Sequence, residues 1–141
     1  MRILGIDYGE KRIGIALSDP SETIAQGKGV YEWRDKVQLI GYIKESIKKY
    51  SVDMIVVGLP YNMDGTLGKK ANEVMEFIEE LKRNIDISIS TWDERLTTLQ
   101  SDRILIEADV SRKKRKKSAN KMAATLILQG FLDSRHKDEN S

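Results

Sequence analysis

The spacing of apolar and polar positions changes several times along the chain, and each change marks an element. Arg2–Ile6 is apolar and β-branched, and Arg12–Leu17 alternates through Ile13 and Ile15. The tight turn Asp7-Tyr8-Gly9-Glu10 between them predicts a hairpin. Gly27–Trp33 reads as a third strand. In Asp35–Tyr50, residues Val37, Ile40, Ile43, Ile47 and Tyr50 recur at spacings of three and four, with Lys44, Lys48 and Lys49 on other faces; this is an amphipathic helix. Val52–Gly58 is a continuous apolar run, the signature of a parallel strand covered on both faces. Gly58–Gly68 is a loop rich in glycine, and Lys69–Arg83 is a second helix with Ala71, Val74, Ile78 and Leu81 on one face. Ile85–Ser90 alternates strictly, as an edge strand does. Thr91–Arg95 is expected to open a helix reaching about Ala108, and Asp109–Lys117 to be a loop. Ser118 reads as the N-cap of a last helix, Ala119–Leu132, which is apolar nearly all round from Met122 and so mostly buried. The polar stretch Arg135–Ser141 is expected to be a disordered tail.

Three meandering strands followed by helix–strand alternation predict an α/β fold, a mixed sheet with helices on both faces and right-handed crossovers. Ligands of such sheets sit outside the carboxyl ends of the parallel strands. Asp7 ends the first strand, the Gly58–Gly68 loop leaves the fourth, and Asp93 and Glu94 follow the fifth. All three features are therefore expected on one rim.

Composition narrows the chemistry. A chain of 141 residues is expected to form one domain, residues 1–134, ahead of the 135–141 tail. No apolar run approaches the ~18 residues of a membrane span, and the N-terminus reads as a strand rather than a signal peptide. Cysteine is absent, which excludes thiol catalysis and Cys-ligated zinc and fits a cytoplasmic location. The single histidine, His136, lies in the polar tail, away from any Ser-His-Asp arrangement. Carboxylates, lysines and hydroxyls remain. The net charge of +2 is unevenly spread. Residues 1–108 hold 15 Lys/Arg against 18 Asp/Glu, and residues 109–141 hold 9 against 4, with six consecutive basic residues at Arg112–Lys117.

Carboxylates that converge on a rim repel one another unless a cation joins them, and a few of them suit Mg²⁺ or Mn²⁺. Such ions activate water and stabilise the leaving oxygen of a phosphodiester. Structural roles compete with this reading. Asp7 caps a turn well, Thr91-x-x-Glu94 fits a capping box, and Asp93 fits an N-cap. The Gly58–Gly68 loop lacks the GK[ST] of a Walker A loop; its Asn62, Gly65 and Thr66 can offer donors to a phosphate, or Asp64-Gly65 simply turns the chain. The run Arg112, Lys113, Lys114, Arg115, Lys116 and Lys117 is either a solvated loop or a phosphate-binding one. With about five phosphate contacts, its log–log salt slope is expected near −4 to −5. Lys11, Arg12 and Arg95 add positive charge at the rim.

Four stretches, DYGEKRIGIALSD, VVGLPYNMDGT, WDERLTT and KMAATLILQGFL, resemble the YqgF (RuvX) family of RNase H-like proteins, in the family's order and from Arg2 to about Leu132. The resemblance implies an RNase H-like fold with strands in the order 3-2-1-4-5. It also implies a Mg²⁺- or Mn²⁺-dependent nuclease. The implied substrate is the 5′ end of pre-16S rRNA, in ribosomal precursor particles, or alternatively a DNA Holliday junction. A monomer suits RNA trimming and a homodimer suits junction cleavage. Asp7 matches the family's first catalytic acid, and Asp93 and Glu94 match the second motif, with Glu94 favoured as the ligand. The third expected acid falls on Asn120, three residues before Ala123-Ala124, and Asn supplies a carbonyl oxygen without charge. This departure leaves open a weakened enzyme or an RNA-binding module without catalysis. The Asp-x-Gly turn also resembles the phosphate loop of actin-like ATPases, which need two such domains.

Overall fold

The computed structural model describes residues 2–96 and 112–139, with side chains at 2–95 and 121–136. Strands β1 (Arg2–Tyr8), β2 (Arg12–Ser18) and β3 (Ala25–Glu32) form an antiparallel meander. Helix α1 (Lys36–Tyr50) leads into β4 (Val52–Leu59), and α2 (Lys69–Asn84) into β5 (Ser88–Asp93). A 3₁₀ turn, Glu94–Leu96, follows β5, and helix α3 spans Arg112–Glu139. The sheet order is β3-β2-β1-β4-β5, with β4 parallel to both β1 and β5. The mixed sheet and its expected strand order are thus present.

Alternation along the strands sends side chains to two separate cores. Leu4, Ile6, Ile13, Ile15 and Val57 pack with Leu39, Ile40 and Ile43 of α1 and with Val74, Phe77 and Leu81 of α2. Ile3, Ala16 and Val56 pack on the opposite face with Ala124, Ile127, Leu128 and Leu132 of α3. Helix α1 begins as its sequence dictates, because the Asp35 side chain accepts a hydrogen bond from the Gln38 amide at 2.8 Å. Helix α3 lies very close to the sheet. A β-carbon placed on Gly5 would sit 2.8 Å from Leu128 Cβ and 3.1 Å from the Ala124 carbonyl oxygen. One on Gly130 would sit 2.8 Å from the Trp92 ring.

Several boundaries differ from the sequence reading. Strand β5 starts and ends later than Ile85–Ser90, because pairing with β4 from Met54↔Ser88 to Leu59↔Asp93 carries it through the presumed helix start. Thr91 and Asp93 therefore occupy strand positions, and no capping box forms there. The remainder of that expected helix, beyond Leu96, lies outside the described residues. Residues Arg112–Lys117 and Ser118 belong to α3 rather than to a loop and its cap. Among the described side chains of α3, full burial follows a stripe of Ala124, Ile127, Leu128 and Leu132, with most of their neighbours half-covered. The expected tail continues this helix to Glu139. Arg135 pairs with the Glu22 carboxylate at 3.5 Å, and His136 Nε2 donates to the Glu22 carbonyl at 2.8 Å.

Two glycine substitutions should move stability in opposite directions. Gly5→Ala forces α3 off the sheet and is expected to destabilise by about 1–3 kcal/mol in urea unfolding. Gly41→Ala, in the interior of α1 with no heavy atom within 4 Å of the new β-carbon, is expected to stabilise by roughly 0.5–1 kcal/mol in the same measurement.

Candidate active site

The C-terminal ends of β1, β4 and β5 share one rim, and two carboxyl groups meet there. Asp7, near the end of β1, is hydrogen-bonded to Glu94. Glu94 is the first residue after β5, and its side chain crosses the end of β4 at Gly58. A β-carbon at Gly58 would lie 2.8 Å from Glu94 Cγ and 2.4 Å from Ile127 Cδ1. The missing side chain of Gly58 is therefore the passage through which Glu94 reaches Asp7. Burial raises the Asp7 pKa well above its ordinary 3.8, and the Glu94 charge and hydrogen bond raise it further, against a smaller opposing pull from Lys70. Two carboxyl groups this close hold a proton between them or require a cation.

Asp93 does something else. Its Oδ2 accepts from Arg95 Nη2 at 2.6 Å and from Nε at 3.0 Å, and its Oδ1 accepts from the Arg95 amide at 3.0 Å. The Arg95 hydrogen bond is the main cause holding the Asp93 carboxyl below its ordinary pKa. The Arg95 guanidinium lies 5.3 Å from the centre of the Tyr61 ring, and its charge reaches Asp64. Asp93 and Arg95 thus brace the loop after β4, while Glu94 faces Asp7.

That loop is built by its own hydrogen bonds. Tyr61 and Leu67 form a bridge, the Asn62 amide donates to the Thr66 carbonyl at 2.9 Å, and Gly65 turns the chain with φ of 87°. Asn62 Nδ2 donates to Thr66 Oγ1 at 3.0 Å, and Thr66 Oγ1 donates to Asp64 Oδ1 at 2.6 Å. Asn62 and Gly65 therefore serve the turn. On the other side of Asp7, Trp33 pins the β1–β2 turn: its Nε1 donates to the Gly9 carbonyl at 3.1 Å and its amide to the Lys11 carbonyl at 2.9 Å. Lys11 is exposed there, and Arg12 starts β2 opposite Glu32. The expected contacts at Arg112, Lys113, Lys114, Arg115, Lys116 and Lys117, and the expected donor Asn120, all lie on α3 with side chains outside the described residues.

An open cleft of about 410 Å³ lies beside the turn that follows Asp7, lined by Tyr8, Gly9 and Glu10 on the turn and by Lys69, Lys70 and Glu73 on α2. Tyr8 is stacked on Phe77 with ring centres 4.3 Å apart. Burial raises its pKa, with the charges of Glu73 and Glu10 adding to the effect. The lysines of this cleft were not singled out in the sequence; the available signal was a pair of cations in a first helical turn that holds no acid. Among the described residues no three His, Cys, Asp or Glu side chains converge on one point, so the described oxygen donors at the rim are the Asp7–Glu94 pair.

The chain is similar to known proteins over nearly its whole length. The family model described as "RuvX: Holliday junction resolvase" matches residues 1–134. A Clostridium acetobutylicum protein is 53% identical over 134 residues, covering 95% of this chain and 99% of that one. A Halothermothrix orenii protein is 48% identical over 137 residues, covering 97% and 98%. Both carry the name "Putative pre-16S rRNA nuclease". Among solved structures, fowlpox virus resolvase with Holliday junction DNA superposes with a TM-score of 0.59 at 14% identity, over 96% of this chain and 99% of that one. Thermus thermophilus RuvC with a Holliday junction gives 0.59 at 12% identity, over 97% and 96%. At these identities the two structures establish the shared fold.

The Asp7–Glu94 contact gives stability a definite pH dependence. A carboxyl whose pKa is higher in the folded than in the unfolded chain favours folding at low pH, and this contribution is lost as pH rises from about 3.8 through the raised value. Asp7→Asn, which cannot ionise, is therefore expected to have a higher Tm than the parent at pH 8, with the difference shrinking toward pH 4. Gly58→Ala should displace Glu94 and lower stability by about 1–3 kcal/mol, measured by urea unfolding.

Proposed function

The chain belongs to the RuvX family, and on that premise we propose that it is a divalent-metal-dependent endonuclease acting on the 5′ end of pre-16S rRNA in the cytoplasm. The observation that carries the reading is the Asp7–Glu94 pair, set at the rim of a sheet that shares the fold of RuvC. The pair suits a hard cation, because both donors are carboxylate oxygens and their close approach is unfavourable once both are ionised. Asp7 and Glu94 would hold Mg²⁺ or Mn²⁺, with Asn120 adding a neutral carbonyl oxygen. When bound, the ion supplies Lewis acidity toward a water and the phosphoryl oxygen. Asp7 would offer its oxygens to the ion as the carboxylate, and Glu94, steered across Gly58, would offer the second set of carboxylate oxygens. Hydrolysis adds one water across the phosphodiester and breaks the bond to the 3′ oxygen, leaving a 3′-hydroxyl and a 5′-phosphate.

RNA is favoured over DNA junctions because the relatives at about half identity carry the rRNA name, whereas the junction-bound structures are related at 12–14% identity. One residue favours a second reading. Asn120 stands where the family expects an acid, so the site carries one negative charge fewer. A protein that binds precursor RNA without cutting it would tolerate that change.

Cleavage of end-labelled pre-16S rRNA fragments and of four-way DNA junctions in Mn²⁺ separates these readings. The parent is expected to cut RNA, Asp7→Asn to lose on the order of 10³-fold in rate, and Asn120→Asp to gain. Mn²⁺ should also raise the Tm of the parent and leave that of Asp7→Asn nearly unchanged. RNA bound but uncut by both the parent and Asn120→Asp would leave the binding module, and preferential cutting of junctions would leave the resolvase.

A further inference from the structure

Two lysines occupy a place that helix stability does not explain. Helix α2 begins at Lys69-Lys70; its cap residue, Gly68, makes no side-chain cap, and its first turn holds no acid. Cations at a helix N-terminus oppose the macrodipole, which favours them at the other end. The last turns follow that preference, with Lys82 and Arg83 in α2 and Lys48 and Lys49 in α1, whereas α1 and α3 also open on cations, Lys36 and Arg112–Lys117. Among the described residues the Lys69 and Lys70 ammonium groups make neither an ion pair nor a hydrogen bond.

Their position supplies the missing reason. Both line the 410 Å³ cleft whose other wall is Tyr8-Gly9-Glu10, the turn that follows Asp7. That volume lies within the range of about 300–1,000 Å³ typical of small-ligand sites. Lys70 is near enough to Asp7 for its charge to act there. Glu10 and Glu73 also line the cleft, so its formal charge is balanced and it does not attract a polyanion indiscriminately. A strand enters favourably only with a phosphate against the lysines and its neighbouring phosphates clear of the two acids. Such a lining selects a register.

We propose that Lys69 and Lys70 anchor a non-scissile backbone phosphate of the RNA strand, one that fixes which phosphodiester reaches Asp7 and Glu94. This rests on the nuclease reading for the cut itself, but the contact is testable without cleavage. In the Asp7→Asn background, binding of a labelled 5′ pre-16S rRNA fragment is measured against KCl concentration, with and without Lys69→Gln/Lys70→Gln. The double substitution should weaken binding by about tenfold and flatten the log–log salt slope by about 1–2. Lys69→Arg/Lys70→Arg should restore both, and Lys48→Gln/Lys49→Gln on α1 should change neither. In the cleaving protein, Lys69→Gln/Lys70→Gln should spread the cut over neighbouring phosphodiesters, a change that loss of stability alone does not produce. Affinity and slope equal to the Asp7→Asn parent would overturn the anchor. No RNA binding by that parent would overturn anchor and nuclease together. Lysine-dependent binding with no cleavage by the Asp7 protein would retain the anchor and remove only the nuclease.

Discussion

Helix α3 comes down onto bare glycine backbone at Gly5 and Gly58 of the sheet, and the candidate site depends on that close approach. Gly5 in β1 and Gly58 in β4 present bare backbone to the helix, so Leu128, Ala124 and Ile127 sit where β-carbons would otherwise stand. The same gap at Gly58 lets Glu94 fold back from the end of β5 over β4 toward Asp7. Packing and chemistry are therefore set by the same atoms. A change that widens the helix–sheet spacing also alters the seat of a carboxylate that no strand carries.

Around this contact the charges are arranged by role. Asp7 is half-buried and pressed against another acid, which is unfavourable for the ionised carboxylate by itself. Asp93, the residue immediately before Glu94, is spared that conflict because Arg95 takes both of its oxygens. Neighbouring residues in the chain thus diverge, one locked into a brace with the Tyr61 loop and the other left to face the rim. Trp33 does comparable work on the opposite side by holding the carbonyls of Gly9 and Lys11, so the turn after Asp7 is tied to the end of β3.

Much of this was readable from residues alone where burial dictates the pattern. The continuous apolar run of β4, the three-and-four spacing of α1 and the Asp35 cap all signalled the elements now present. Asp7 and the pair Asp93 and Glu94 were placed on a common rim by the strand ends, and the resemblance favoured Glu94 of the two. The errors lie where tertiary pairing overrides local pattern. Ile85–Ser90 alternates more strictly than Ser88–Asp93, and the register with β4 overrides that pattern. Thr91-x-x-Glu94 spells a capping box, yet three of its positions are consumed by that pairing. The polar end of α3 resembles a free tail until Glu22, in a left-handed conformation with φ of 59°, offers its carbonyl to His136 and its carboxylate to Arg135. Lys69 and Lys70 were unremarkable as charges, and acquire meaning only beside Asp7.

The clasp between Glu22 and the end of α3 joins residues more than a hundred positions apart, as does the bond from Ala25 N to Gln129 Oε1 at 2.9 Å. The face of the sheet carrying Ile3, Ala16 and Val56 is covered by α3, which follows every strand of the sheet in the chain. Throughout synthesis the strands can assemble against α1 and α2 while their other surface stays wet and adhesive, the condition in which nascent chains aggregate or engage chaperones. Completion of α3 closes that surface and seats Ile127 against the Gly58 gap in one event. The chain thereby withholds a fully framed rim until α3 has been made.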